Sequence, residues 1–130
     1  MPTGFAATDF SVASENGVLV TALRAPSTDE DDFYLMLQHK EPYTKQDVKF
    51  GWDKPYIEYC GQGWSWYGHI LSFELHRDRV RVQMDEEAAK HMDNDGTIEV
   101  MFKLDDSQFA ELRGACRKTF AGRSYFTDAA

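Results

Sequence analysis

Ile98-Glu99-Val100-Met101-Phe102-Lys103-Leu104-Asp105-Asp106-Ser107-Gln108-Phe109-Ala110-Glu111-Leu112 changes its hydrophobic period at a single residue. From Ile98 to Leu104, apolar side chains alternate with Glu99, Met101 and Lys103, the two-residue repeat of a strand buried on one face. At Asp105 the pattern switches. Asp105 with Gln108 three residues on forms an N-terminal capping pair, and Phe109, Leu112, Cys116 and Phe120 then recur at helical spacing. A half-buried strand running into an amphipathic helix sets the class as α+β, with the closing helix packed on a sheet. Cys116 falls in the apolar stripe and reads as a small core residue.

Working back toward the N-terminus, Asp85-Glu86-Glu87-Ala88-Ala89-Lys90 places acids in the first turn of a short helix that Asp95-Gly96 ends. Before it, a turn at Arg77-Asp78 sets Leu75 opposite Val80, Phe73 opposite Val82 and Leu71 opposite Met84. All six then share one face, although Arg-Asp is not a favoured turn pair. Phe33-Tyr34-Leu35-Met36-Leu37-Gln38 is apolar on both faces, as a central strand requires. Phe5 to Ala13 and Val18 to Leu23 flank Glu15-Asn16-Gly17, whose Asn-Gly pair tolerates the positive φ of a type I′ turn. That hairpin pairs Val12 with Thr21 and Phe10 with Leu23. Residues 39–54 read as loop with one short turn. Tyr56 to Cys60 alternates as a strand and leads into a loop from Gly61 to Gly68.

The expected fold is therefore a mainly antiparallel sheet of about seven strands with one short helix and a C-terminal helix packed on the sheet. One domain spans residues 1–130, with frayed ends at 1–4 and 121–130 where Tyr125 and Phe126 can dock.

Composition narrows the function classes. With 42% hydrophobic and 14% aromatic residues among 130, the chain is neither disordered nor fibrous. Fourteen Lys and Arg against 22 Asp and Glu give a net charge of −8, which disfavours direct nucleic-acid binding and suits a basic partner. Solubility alone explains the same charge equally well. No segment has the length and apolarity of a membrane span, and the N-terminus lacks the basic and apolar regions of a signal peptide, so a cytoplasmic protein is expected. Cys60 and Cys116 lack metal-type spacing and are expected as free thiols.

Catalytic signatures are missing. Gly61, Gly63 and Gly68 match no phosphate-binding fingerprint, and Gly63-Trp64-Ser65-Trp66-Tyr67 lacks the closing glycine and following helix of a nucleophile elbow. His39, His69, His76 and His91 are dispersed, so neither a metal nor another cofactor is expected. Glu58 is a single carboxylate without the partner a glycosidase needs. It reads either as an outward strand residue or as a binding group beside the indoles. Trp52, Tyr56, Tyr59, Trp64, Trp66 and Tyr67 concentrate aromatics as protein contact surfaces do. Two readings of Trp64 and Trp66 stay open: exposed anchors, or plugs folded back on one end of the sheet.

Several stretches taken together resemble the tenth family of bacterial polymorphic-toxin immunity proteins. They are Tyr34-Leu35-Met36-Leu37-Gln38, Tyr56-Ile57-Glu58, Gly61-Gln62-Gly63 with Tyr67-Gly68-His69-Ile70, Glu74 to Val80, Asp85 to Ala89, and Val100 to Asp106 with Phe109 and Leu112. The resemblance runs from about Gly17 to Phe120. It departs at Cys60-Gly61-Gln62 and at the heavier aromatic run Trp64-Ser65-Trp66. It implies a non-catalytic bacterial protein that binds and neutralises a cognate toxin domain, with a basic nuclease as one candidate target. The expected contact has Trp64, Trp66, Tyr67, Glu58 and Gln62 at its centre and Asp29, Glu30, Asp31 and Asp32 at its rim. The alternative is a small-molecule or carbohydrate-binding module that stacks a ligand on the tryptophans.

Overall fold

The computed structural model describes residues 3–25, 33–40, 45, 49, 56–59, 66–67, 70–91 and 96–130. Of the expected loop over 39–54, His39 and Lys40 instead continue the strand that begins at Phe33, and the rest lies outside this set apart from residues 45 and 49. Ten described strands divide between two five-stranded sheets. In chain order the elements are β1 (Thr3–Ala6), β2 (Asp9–Glu15), β3 (Val18–Ala25), β4 (Phe33–Lys40), β5 (Tyr56–Tyr59), β6 (Trp66–Tyr67), β7 (Ile70–Leu75), β8 (Arg79–Met84), α1 (Glu86–His91), β9 (Thr97–Met101), α2 (Asp106–Thr119) and β10 (Phe126–Asp128). The first sheet has the order β1-β9-β8-β7-β10, and the second runs β2-β3-β4-β5-β6. Among the described strands, only the edge strands β1 and β10 pair in parallel.

The α+β class stands, with more strands than expected and two sheets in place of one. The division arises at Ala7-Thr8, inside the segment expected as one strand. Ala7 N–H donates to the Met101 carbonyl of the first sheet at 2.7 Å, whereas Thr8 N–H donates to Arg24 of the second at 2.8 Å. Both chain ends, expected to fray, carry edge strands. Gly4 lies so close to the Glu99 carbonyl that any Cβ would collide with it, which fixes glycine at this point of β1.

The β2–β3 hairpin turns through Asn16 (φ 54°) and Gly17 (φ 79°), and its register pairs Val12 with Thr21 and Phe10 with Leu23, as the sequence dictates. The β7–β8 hairpin departs at one residue. Leu75 pairs with Val80 and Phe73 with Val82, but a bulge sets Ile70, not Leu71, opposite Met84. Leu71 is pushed out to 62% exposure. The unfavoured Arg77-Asp78 turn has a tertiary reason. Arg77 reaches the start of α2, donating to the Leu104 carbonyl and Asp106 Oδ1 at 3.0 Å each, with its guanidinium 4.6 Å from the centroid of the Phe109 ring.

A capping box starts α2. Gln108 N–H donates to Asp105 Oδ1 at 2.7 Å, and Asp105 N–H donates to Gln108 Oε1 at 3.1 Å. Its buried stripe, Phe109, Leu112, Cys116 and Phe120, lies against β2, β3 and β4 and also meets the first sheet, with the Phe120 and Phe73 ring centroids 4.4 Å apart. Leu23, Leu35, Leu37 and Ile57 from the second sheet and Phe73, Val80, Val82, Ile98 and Val100 from the first complete one contiguous hydrophobic cluster. Each such buried side chain contributes about 1.5 to 3 kcal/mol. The C-terminus is pinned as well. Asp128 accepts from Arg113 Nε at 2.7 Å and Arg117 Nε at 2.9 Å, and Ala129 N–H donates to Leu75 O at 2.8 Å.

Candidate interaction surface

Alternation along β4 and β5 builds the outward face of the second sheet. Leu35, Leu37 and Ile57 are at most 3% exposed on the core side. Tyr34, Met36, Gln38, Tyr56 and Glu58 therefore occupy the opposite face, where all are half-buried. Register pairs Met36 with Glu58 and Gln38 with Tyr56, so Tyr34 lies diagonal to Glu58. Both carboxylate oxygens of Glu58 are engaged: the Tyr34 hydroxyl donates to Oε2, and the Tyr56 hydroxyl donates to Oε1 at 2.8 Å. The result is a carboxylate of fixed orientation framed by two phenol rings.

The short strand β6 revises the aromatic loop. Residues 66–67, expected as loop, pair with β5: Tyr67 stands opposite Tyr56 and Trp66 opposite Ile57. Trp64, Gln62, Asp29, Glu30, Asp31 and Asp32 lie outside the described residues. The structure thus brings together Glu58, Tyr56 and the Tyr67 position. It adds Tyr34, which the sequence reading did not single out as a contact residue. Tyr34 and Glu58 are 24 residues apart, and only the β4–β5 register joins them. Spacing did show that Tyr56 and Glu58 share a face.

Two titratable groups lie near the C-terminal end of α2. Burial pushes the Cys116 thiol up to about 12, and the Asp128 charge adds to the shift. Burial alone would raise the Asp128 carboxyl, but hydrogen bonds from Arg113, Arg117 and the Ala130 N–H outweigh it and hold the group below the usual carboxylate range. Cys116 is a free, buried thiol, so it is inert rather than reactive. Cys60 lies outside the described residues.

Among the described residues, no three His, Cys, Asp or Glu side chains converge as a metal site would require. No described helix is long and apolar enough to cross a membrane. Among the described residues, the carboxylate held by two tyrosine hydroxyls on the half-buried outward face of the second sheet is the polar cluster that the sequence-predicted site residues share. The model of the family Immunity protein 10 matches residues 6–110, which takes in β2 through β9 and the first turn of α2. The chain belongs to that family. No curated protein and no solved structure matches it.

Proposed function

We propose that this protein is the immunity partner of a polymorphic toxin: it binds the toxin domain in the cytoplasm of the producing bacterium and neutralises it by occlusion, without catalysis of its own. Membership of the immunity family over residues 6–110 carries this reading. The contact centres on Glu58, framed by Tyr34 and Tyr56, with Tyr67, Gln62, Trp64 and Trp66 from the adjoining segment. Asp29, Glu30, Asp31 and Asp32 supply an acidic rim. Tyr and Trp give rigid contact area at small entropic cost, and Glu58 offers a pre-oriented acceptor for a cationic side chain of the toxin. A net charge of −8 favours a basic toxin surface such as a nuclease presents to phosphate.

The test is co-expression with a polymorphic-toxin domain sought among the genes neighbouring the one for this chain. Restored growth and one-to-one co-elution of the two proteins are expected, whereas unrelieved toxicity with no complex refutes the reading. Carbohydrate-binding has no support in the family match, and soluble glycans are expected to leave the melting temperature unchanged.

A further inference from the structure

The first sheet turns its other face away from the core, and that face has a charge pattern unlike the rest of the chain. Its register sets Glu99, Arg81 and Glu74 side by side across β9, β8 and β7, with Arg79 beside Met101 and Gln83 beside Ser72. Two arginines and two glutamates cancel formally here, while the whole chain stands at −8. Glu99 Oε1 lies 3.7 Å from Arg79 Nε, and Glu74 Oε1 lies 3.2 Å from His76 Nε2, which leaves Glu74 Oε2 able to accept a further donor. Arg81, on the central strand, makes no hydrogen bond or ion pair among the described residues, and its Nε is closed off from solvent with no acceptor. The terminal guanidinium nitrogens, on this half-buried outward face, are not closed off in that way and can meet a carboxylate from outside the molecule.

We infer that this face is a self-association surface, in which Arg81 of one copy takes Glu74 of a second copy across a twofold axis along the β7–β8 seam. The pairing is isologous: the axis that sets Arg81 against the partner copy's Glu74 sets Glu74 against its Arg81, and Gln83 against Ser72. A second copy is favoured over another partner because one small patch holds both the cation and the carboxylate, one strand spacing of about 4.8 Å apart. It is also where two acidic chains meet with least repulsion. Leu71, 62% exposed at the bulge, lies beside the seam and leaves water in the same contact. Five strands of three to six residues span roughly 24 by 16 Å, so each copy buries on the order of 400 Å² and the dimer is weak and salt-sensitive. The Tyr34–Glu58–Tyr56 cluster lies on the other sheet.

Sedimentation equilibrium of the full chain in low salt, up to several hundred micromolar, tests this. A reversible monomer–dimer equilibrium is expected for the wild type, and Arg81→Glu or Glu74→Arg alone should weaken it at least tenfold. Mixing the two variants restores opposite charges at both contacts, so a heterodimer within about threefold of wild-type affinity should form. A wild type that stays monomeric throughout, a dimer that both reversals leave intact, or a mixture that fails to associate would each overturn the proposal. Melting curves confirm that each variant is folded, and Arg81→Gln replaces any reversal that is not.

Discussion

Thr21→Val should stabilise the protein. Thr21 is 2% exposed on the core face of β3, and its hydroxyl oxygen has no hydrogen-bond partner among the described residues. It lines a cavity of about 10 Å³ with Leu23, Leu35, Leu37, Phe73, Leu112 and Cys116. A water at that apolar site would lack the two or more polar partners it needs, so nothing relieves the hydroxyl. An unpaired buried hydroxyl costs about 1 to 3 kcal/mol, and a methyl in its place recovers up to about 0.8 kcal/mol of burial. Both residues are β-branched, so rotamer freedom and strand preference hardly change. The small cavity takes up the larger methyl. Allowing for imperfect fit, the gain is about 1.5 kcal/mol, or roughly 4 to 9 °C in melting temperature for a chain of this size. Thr21→Ser keeps the orphan oxygen and enlarges the void, so it should lose about 1 to 2 kcal/mol. Urea denaturation with unchanged m-values is the assay. A valine variant no more stable than wild type would show that the hydroxyl is satisfied and the reasoning false.

Phe102→Ala should cost about 3 to 5 kcal/mol by the same assay, because Phe102 is 5% exposed and its ring centroid lies 6.3 Å from that of Phe109. Asp128→Asn should lose about 1 to 2 kcal/mol at neutral pH, near the low end for charged hydrogen bonds, because Arg113 and Arg117 are 39% and 59% exposed. The Asp128 folded pKa is depressed, so its contribution is complete above the unfolded value of about 3.9 and disappears as pH falls through the folded one. The stability gap between wild type and Asp128→Asn should therefore hold from pH 7 to about 4 and close below; a gap that closes above pH 5 would contradict the clamp. Iodoacetamide at pH 8 should leave Cys116 unmodified in the native protein, whereas non-reducing denaturation should expose two alkylatable cysteines by mass, a bridge being the contrary result. With the toxin in hand, Trp66→Ala should weaken binding by about 2 kcal/mol through faster dissociation. Neutralising Asp29 to Asp32 should slow association at low salt only; an equal effect at high salt would remove the steering role.

Local chemistry determined most of the elements from the sequence alone. Asn16-Gly17 tolerates positive φ at both positions, so the hairpin and its register follow from two residues and the alternation around them. The alternation from Ile98 to Leu104 set the buried face of β9, and the Asp105–Gln108 pair set the start of α2. Tertiary structure decided what depends on distant partners. Nothing in Ala7-Thr8 marks a crossing between sheets; the crossing exists because β1 finds β9 and β2 finds β3. Leu71 alternates correctly with Phe73 and Leu75, yet Ile70 takes the core position, because one bulged residue shifts every side chain before it to the other face. Arg77 looks misplaced in its turn until α2 packs beneath it. The Tyr34–Glu58–Tyr56 clamp and the unpaired Arg81 belong to the same class: periodicity assigns each residue a face, but only the pairing of strands far apart in sequence decides which side chains meet there.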